Sequence, residues 1–442
     1  MHLAEIKFKS LIDRVDANFY VSRFGAIRQL HQQYKNLGDL CNFPRAKTPP
    51  RELYFRTGIP VIKLKNVSNY FLQLKDTDYI PQSHYSEFVQ PKRGDILITA
   101  TGEGTIGRVA IFENDIKCII TAEVMIVRPR NINPYFLFAY LRSLYSRYQL
   151  ERFARGSTGQ THLYSKDVAL IPVPQVSERL QKEIEELVKQ AHKKKKLADE
   201  KYEEAEKSLY ELLGFDEINL EFQKSFEAGA KEVFSTMRFD SEYYQPKYKK
   251  IIEILNKSGF KVEKLAKVVN ISAKKINPRA NPTKKIKYVE LADINPSTGE
   301  IEGFNELYGY EAPSRARMVI RSGDVLVASL SGSLDNIGIV PQELNGEVAS
   351  TGFFVINSEN YLSEFLFLFF RSEIMKKQLE QKTAGAIMAA VPKSVFGDLL
   401  VPIVPKQKQE NIAELVKQSF SLRKEAKQLL DEATEKIENE HK

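Results

Sequence analysis

The residues of this chain that could do chemistry are polar and basic side chains gathered in predicted loops. Lysine and arginine suit phosphate groups, while arginine, asparagine and glutamine can form paired hydrogen bonds with base edges. These residue types predict nucleic-acid binding, although a charged loop can also be simply a solvated loop. In the first half of the chain the candidates are Lys63, Lys65, Asn66, Thr101, Glu103, Thr105, Arg108, Arg155, Ser157, Thr158, Gln160 and His162. In the second half they are Lys274, Lys275, Arg279, Lys284, Lys285, Ser331, Ser333, Asn336, Lys382 and Thr383.

Two short motifs are similar to catalytic or cofactor sites, and their surroundings argue against both functions. Residues 102–107 fit G-x-G-x-x-G, but residues 108–112 are predicted to form a strand, so no helix N-terminus would hold a pyrophosphate. A glycine-rich hairpin loop is the better interpretation. Asn133-Pro134 is better explained as a proline at a helix start than as a methyltransferase motif. We expect no catalytic residues, no metal and no cofactor in this chain.

The charge of the chain is positive and unevenly distributed. The 442 residues include 65 Lys and Arg against 57 Asp and Glu, for a net charge of +8. The segments 176–213 and 406–442 sum to −1, so the remainder carries +9. A positive excess outside these segments suggests a polyanion partner. The length predicts two to four domains.

The composition also indicates in which cellular compartment the protein lies. The two cysteines, Cys41 and Cys118, suggest no disulfide framework and have no neighbours at metal-ligand spacing. The chain opens without a signal peptide, and its longest apolar run, 365–370, is too short to span a bilayer. We therefore expect a cytoplasmic protein with no membrane partner.

Two long helices are predicted to position the loops. The segment 176–213 contains no Pro or Gly, and its apolar or small residues recur every three to four positions, which is typical of a coiled coil ending at Gly214. The sequence of residues 186–190 is repeated at 414–418, inside a second stripe of the same kind. The two stripes could bury each other as an antiparallel pair, or each could be an ordinary amphipathic helix packed on a nearby domain.

The rest of the chain looks like two copies of one domain. Residues 14–20, 93–98 and 136–143 have counterparts at 238–244, 322–327 and 365–372, with offsets of 224 to 229 residues, which indicates a tandem duplication. Each copy is predicted to contain a helical entry capped by Asp16 or Asp240, short strands such as 118–128, and a helix at about 134–153 or 362–381. The expected fold is α+β, with two tandem-duplicated α+β domains separated by two long antiparallel coiled-coil helices. The predicted boundaries are 1–174, 175–214, 215–405 and 406–442.

The order of these elements resembles a known family. Four segments, in this order, are similar to the specificity (S) subunit of type I restriction-modification systems. They are the Gly-Asp-Ile-Leu-Ile strand at 94–98, the Gly-Thr-Ile-Gly loop at 104–107, the Gly-Ser-Thr-Gly-Gln loop at 156–160 and the Ile-Pro-Val-Pro sequence before the long helix. The resemblance covers essentially the whole chain. The second copy departs from it, because residues 382–388 replace the polar loop.

The resemblance implies that each copy is a target-recognition domain for one half of a bipartite, asymmetric site in double-stranded DNA. It also implies that the helices set the spacing and dock two methyltransferase (M) subunits, with a restriction (R) subunit joining for cleavage, while this chain is not an enzyme. The partner-binding helix positions would be Leu180, Ile184, Leu187, Ala191, Ile412, Leu415, Leu422 and Leu429. The alternative is a non-enzymatic coiled-coil scaffold with protein-binding β-rich domains, which would show no duplex binding for salt to weaken.

Overall fold

The computed structural model of the chain describes residues 34–68, 70–74, 77–102, 104–156, 161–215, 220, 222–383 and 389–440. The chain divides into two compact units. The first combines Met1–Lys196 with Arg423–Lys442, and the second is Leu197–Leu422. Each unit therefore holds one globular copy and one segment of each long helix. Among the described residues, no helix is both long enough and apolar enough to cross a membrane.

The first unit is built from short strands and helices. Its strands are β1 (Tyr34–Asn36), β2 (Cys41–Asn42), β3 (Ile59–Ile62), β4 (Asp78–Ile80), β5 (Ile96–Thr99), β6 (Val109–Ile111), β7 (Ile119–Ile120), β8 (Val124–Pro129) and β9 (Pro172–Pro174). Its helices are α1 (Leu37–Leu40), α2 (Pro134–Arg142), α3 (Leu144–Phe153), α4 (Ser165–Val168) and the first part of α5 (Glu178–Leu213). Its 3-10 turns are Arg51–Leu53, Leu64–Asn66 and Gln82–Glu87.

Two sheets and a layer of helices form the core of the first unit. One sheet has the antiparallel order β2-β8-β5-β6, and the other has the order β4-β3-β7 with β3 and β7 parallel. All four residues of β5 are buried, because different layers cover its two faces. Ile96 and Ile98 pack with the helices, whereas Leu97 packs with Ile62 and Ile120 of the second sheet. The layers are therefore helices, sheet and sheet.

The second unit repeats this construction. Its strands are β10 (Val262–Lys264), β11 (Asn270–Ile271), β12 (Lys285–Val289), β13 (Asn305–Tyr308), β14 (Ala316–Val319), β15 (Val325–Ala328), β16 (Ile337–Ile339), β17 (Val348–Ser350), β18 (Phe353–Asn357) and β19 (Leu400–Pro402). Its helices are α6 (Ala230–Thr236), α7 (Pro246–Lys257), α8 (Ser363–Arg371), α9 (Glu373–Lys382), α10 (Lys393–Phe396) and the first part of α11 (Lys406–Glu440). Its 3-10 turns are Ser241–Tyr244, Leu265–Lys267, Pro278–Ala280, Leu291–Asp293, Gly309–Glu311, Ser331–Ser333 and Gln342–Leu344.

The sheets of the second unit confirm the predicted duplication. They have the orders β11-β18-β15-β16 and β13-β12-β17-β14, and β12 and β17 are parallel as β3 and β7 are. Val325 and Val327 of β15 pack with the helices, and Leu326 and Ala328 pack with the other sheet. This alternation matches that of β5. β14 has no counterpart in the described part of the first copy.

The long helices begin and end close to the predicted residues. Gly214 ends α5 with a φ of +69°, and the Phe215 amide donates to the Tyr210 carbonyl at 2.8 Å, so the predicted glycine cap is confirmed. In the first unit the helix segments run antiparallel, because Lys194 pairs with Glu425 at 2.6 Å and Lys436 with Glu183 at 3.5 Å. In the second unit the Ser419 hydroxyl donates to the carbonyl of Ala198 at 2.7 Å.

The seam between the helices differs from the predicted stripe by one residue in several places. Val188 is fully buried, whereas Leu187 is only partly buried. Leu422 and Leu429 are likewise partly buried, while the residues after them, Arg423 and Leu430, are buried. The predicted partner-binding positions that are buried within the chain's own cores are Leu180, Ile184, Ala191, Ile412 and Leu415. These five side chains support the helix pair from inside, and their part in binding a partner stays a prediction.

The predicted helices 134–153 and 362–381 are each broken once, which corrects the prediction of continuous helices. Asn133 caps the first through the amides of Tyr135 and Phe136, and Pro134 is its first residue, as predicted. The break falls at Ser143, where the backbone is extended and the hydroxyl donates to the Tyr140 carbonyl at 2.7 Å. Ser372 makes the equivalent bond to Phe369. A serine that bonds its own backbone competes with the helix.

The strands and entry caps also depart from the prediction in part. The predicted strand 118–128 is two strands, β7 and β8, separated by a turn. Asp240 accepts from the Tyr243 amide at 3.1 Å, and it caps a 3-10 turn instead of an α-helix. Its predicted counterpart in the first copy, Asp16, lies outside the described residues.

Candidate nucleic-acid interface

The glycine-rich segment of the first copy is a hairpin loop, as predicted. It joins the antiparallel strands β5 and β6, and Gly102 and Gly107 have φ values of +99° and +80°. Such angles are open to glycine and strained for other residues. A strand follows the loop, as predicted, so the loop connects two strands and does not open a helix.

Several predicted contact residues of the first copy meet beside this hairpin. Thr101 pairs with His162, and His162 also exchanges backbone hydrogen bonds with Arg155 at 2.7 and 2.9 Å. The Thr105 hydroxyl donates to the Thr101 carbonyl at 3.3 Å. Exposed Lys65 belongs to the 3-10 turn Leu64–Asn66. This turn lies beside the hairpin, because a Cβ placed on Gly102 would be 3.7 Å from the Leu64 side chain. Arg108 follows the hairpin turn, whereas Glu103, Ser157, Thr158 and Gln160 lie outside the described residues.

Asn66 is not available to read a base, which corrects its predicted role. Its side chain is buried with only 2% of the residue exposed. The side-chain oxygen accepts from the Lys63 amide at 2.8 Å, and the side-chain nitrogen donates to the Gln73 carbonyl at 2.8 Å. Asn66 therefore holds the 3-10 turn. Lys63 is also occupied within the unit, because its ammonium group lies 2.8 Å from Asp78 and 3.9 Å from the ring centre of Tyr54.

Arg155 has a partner inside the first unit as well. Its Nη2 atom lies 2.6 Å from Oδ1 of Asp167, whose side chain is buried. A buried carboxylate is costly without a paired cation. The guanidinium group therefore holds the start of the polar loop against α4, and a contact of the partly exposed Arg155 side chain with DNA stays a prediction.

We expect Arg155→Ala to lower the stability of the first unit by about 1–3 kcal/mol, because it leaves the Asp167 carboxylate buried and unpaired. The double variant Arg155→Ala with Asp167→Ala is expected to recover part of this loss. Thermal unfolding of the four chains of this double-mutant cycle measures both effects. An Arg155→Ala chain that unfolds like the parent yet loses DNA affinity would show that Arg155 contacts DNA and is not needed for the stability of the unit.

The second copy presents its predicted lysines on an exposed surface with aromatic rings among them. Lys274, Lys275, Lys284 and Lys285 are all exposed, as is Arg279, whose Nε donates to the Ala312 carbonyl at 2.9 Å. Exposed aromatic rings among basic side chains are typical of surfaces that bind nucleic acid.

Three aromatic residues of this surface are not among the contacts predicted from the sequence. The Lys285 ammonium group lies 5.4 Å from the ring centre of Tyr308, and that of Lys287 lies 4.8 Å from Phe304. The Tyr308 ring stacks on that of Tyr310 with centroids 5.8 Å apart, and Tyr310 is 60% exposed. The signal in the sequence was the Tyr-Gly-Tyr triplet, 308–310, beyond the Lys-x-Lys segment.

The remaining predicted residues of the second copy divide between structural and surface positions. The Asn336 side-chain nitrogen donates to the carbonyls of Leu291 at 2.7 Å and Ile294 at 3.3 Å, so it braces a 3-10 turn, and its contact with DNA stays a prediction. Ser333 belongs to the 3-10 turn that replaces the glycine-rich loop. Ser331 and Thr383 line a cavity of about 400 Å³. The Lys382 ammonium group lies 5.7 Å from the ring centre of Tyr243, which lines the same cavity.

A repeated arginine anchors each copy to a long helix. Arg142, at the end of α2, lies 3.2 Å from Asp431 of α11, and its guanidinium group lies 4.8 Å from the ring centre of Tyr70. The equivalent Arg371, at the end of α8, donates to the Tyr202 hydroxyl of α5 at 2.8 Å. Both arginines lie inside the repeated segments 136–143 and 365–372, but nothing in the sequence indicates their contacts with the long helices.

His192 of α5 lies beside the first of these anchors in its neutral form. Burial, together with the nearby charges of Lys195 and Arg142, lowers the pKa of His192 to about 4. Its ring packs edge-on against Phe71, with centroids 5.2 Å apart. The loop at Tyr70 and Phe71 follows the predicted contacts at Lys63–Asn66. It is held in place by the packing of Phe71 on His192 and by the contact of Tyr70 with Arg142.

Comparison with known proteins is consistent with this duplicated architecture. The family model described as type I restriction modification DNA specificity domain matches residues 31–207 and again 257–434. The protein of Methanocaldococcus jannaschii named "Putative type I restriction enzyme MjaX specificity subunit" is 20% identical over 441 residues, covering 96% of this chain and 95% of its own.

Solved structures of two bacterial proteins are also similar. The HsdS subunit from Thermoanaerobacter tengcongensis is 36% identical over a match that covers 36% of this chain and 41% of that chain, with a TM-score of 0.34. The type I restriction-modification system S subunit from M. genitalium is 13% identical, covering 92% of this chain and 95% of its own, with a TM-score of 0.44. Because the family model matches well over half of its residues, in two successive copies, the chain belongs to the type I restriction-modification DNA specificity family.

Proposed function

We propose that the chain is the DNA specificity subunit of a type I restriction-modification complex, in which each copy reads one half of a bipartite, asymmetric site. The observation that carries this proposal is that the two copies share one architecture but differ in loop chemistry at equivalent positions. The 3-10 turn that follows β3 carries exposed Lys65 at its centre, while the turn that follows β12 carries exposed Ala292 at the same place. A lysine suits a phosphate oxygen, whereas an alanine methyl group can make only apolar contacts.

The hairpin loops support the same conclusion. The first copy carries a glycine-rich loop between β5 and β6, and the second carries the 3-10 turn Ser331–Ser333 between β15 and β16. Two domains with unlike loops are expected to prefer unlike half-sites, so the target is asymmetric. The recognition domains are proposed as 1–174 and 215–405, and the helix pair as 175–214 with 406–442.

The helix pair is proposed to set the spacing of the half-sites and to dock two methyltransferase subunits. Support comes from the continuity of α5 and α11, each of which contributes residues to both compact units. Since the inner seam is covered by the chain itself, a partner would meet the outward faces, where Leu187, Leu422 and Leu429 are partly exposed. Methylation and cleavage would be carried out in the cytoplasm by the methyltransferase and restriction subunits.

The proposal is tested by sequencing methylated adenines in cells that express this chain with its methyltransferase partner. We expect one methylated motif made of two different half-sequences around an unread gap, and no such motif when this chain is omitted. Exchanging residues 34–174 with those of a relative is expected to change one half-sequence only. Methylation that is independent of this chain, or a single undivided motif, would contradict the proposal.

A further inference from the structure

A short hairpin follows the 3-10 turn that carries Lys65 in the first copy. The Gln73 amide donates to the Asn66 carbonyl at 2.8 Å, and Val67 pairs with Leu72. Asn66 belongs both to the turn and to this hairpin, which we call the first anchor hairpin. The turn and the first anchor hairpin therefore form one continuous hydrogen-bonded segment.

The second copy repeats this hairpin at the equivalent place. The Glu302 amide donates to the Asp293 carbonyl at 2.8 Å, and Ile294 pairs with Ile301. Asp293 is the last residue of a 3-10 turn, as Asn66 is in the first copy. This second anchor hairpin therefore has the same construction as the first, although its amino acids differ.

A repeated arginine fastens each anchor hairpin to a long helix. In the first copy the guanidinium group of Arg142 lies 4.8 Å from the ring centre of Tyr70 in the hairpin, and its Nη2 atom lies 3.2 Å from Oδ1 of Asp431 in α11. The Tyr70 hydroxyl also donates to Oδ2 of Asp431 at 3.4 Å. Only 10% of the Arg142 side chain is exposed, so the guanidinium group is enclosed between the hairpin and the helix.

Arg371 makes the equivalent connection in the second copy through hydrogen bonds. Its Nη2 atom donates to the carbonyls of Pro296 and Ser297 in the hairpin at 2.9 and 2.8 Å, and its Nε atom donates to the Tyr202 hydroxyl of α5 at 2.8 Å. Its Nη1 atom donates to the Asp335 carbonyl at 3.1 Å, in the loop between β15 and β16. One planar guanidinium group therefore joins the hairpin, a loop of candidate DNA contacts and a long helix.

We propose that Arg142 and Arg371 are positioning residues, which fix the candidate DNA-contact segments of each copy on a long helix and thereby hold the gap between the half-sites constant. The inference rests on the proposed function, in which the helix pair sets this gap. A helix of fixed length can define a spacing only if the segments that touch DNA do not shift along it. The same arginine ends α2 and α8, so the constraint is present in both copies.

Methylation of duplexes with different gaps tests this inference. The chain is assembled with its methyltransferase partner and given duplexes whose two half-sequences, identified by sequencing methylated adenines, are separated by the original gap or by one base pair more or fewer. The parent should prefer the original gap. We expect Arg142→Met and Arg371→Met each to lower this preference by about tenfold, since a hydrogen bond to a charged group is worth about this factor. The two half-sequences should stay the same.

The matched control is Arg128→Met. Arg128 of β8 pairs with the buried carboxylate of Asp95 at 2.7 Å, inside the first copy. Its loss should lower the unfolding temperature and leave the parent gap preference, which is the result that a purely structural role of Arg142 would also give. An unchanged preference in either anchor-arginine variant, or an equal loss in Arg128→Met, overturns the inference while the proposed function stands.

A milder variant decides the question if a methionine variant does not fold. Tyr202→Phe removes only the hydroxyl group that accepts from Arg371 and keeps the ring. This chain is expected to lose part of the gap preference, and a parent preference in it overturns the inference. A parent complex that methylates all three gaps alike overturns the proposed spacing role of the helix pair as well.

Discussion

Val188→Asp is expected to unfold the helix seam of the first unit, whereas Leu187→Asp, one residue earlier, is expected to be tolerated. Val188 is fully buried in the core that the helices share with the first copy, and Leu187 packs at its margin. An unpaired carboxylate in an apolar core costs at least about 3 kcal/mol, while a partly exposed position costs about 1 kcal/mol. This comparison also separates the observed seam from the predicted stripe, which contained Leu187.

The two variants are compared by thermal unfolding of the full chain and by co-purification with the methyltransferase partner. Val188→Asp should lower the unfolding temperature and lose the partner. Leu187→Asp should keep its fold, and any loss of the partner in this variant would place the dock on the outward face. Equal destabilisation by both variants would show that the burial difference between the two positions is not real.

Adding one heptad to each long helix is expected to widen the unread gap of the DNA target by about three base pairs. Seven residues lengthen a helix by about 10 Å, which matches about three base pairs at ~3.4 Å each. They also leave the apolar stripe within about 20° of its original phase. The insertion points are after Lys196 and after Leu422, where the compact units divide both helices, so that the new heptads face each other.

Sequencing of methylated adenines measures the gap directly. Both half-sequences should be kept, with reduced efficiency, because three base pairs also rotate one half-site by more than a quarter turn around the DNA. The matched control is a heptad in only one helix, which offsets the pairing of Lys194 with Glu425 against that of Ala198 with Ser419 and should abolish assembly. Efficient methylation with the original gap in the doubly lengthened chain would limit the helices to a docking role.

Patterns that are local in the chain were predictable from the sequence. Apolar residues every three to four positions specify the long helices, and Gly214 and Asn133 cap their helices through backbone bonds a few residues away. The glycines at 102 and 107 specify a hairpin loop because the loop needs positive φ angles. The duplication was also readable, since equivalent residues recur at a nearly constant offset.

The role of each polar side chain was decided only by the tertiary structure. Asn66 and Arg155 have the residue types of base-reading groups, yet Asn66 caps a buried turn and Arg155 pairs with Asp167. Conversely, the Lys285 ammonium group lies 5.4 Å from the ring centre of Tyr308 on the neighbouring strand, a contact that no spacing in the sequence indicates. The physical reason is that periodicity and capping depend on residues within about one or two helical turns. Burial and pairing depend on which distant segments pack together, and the residue type alone does not carry that information.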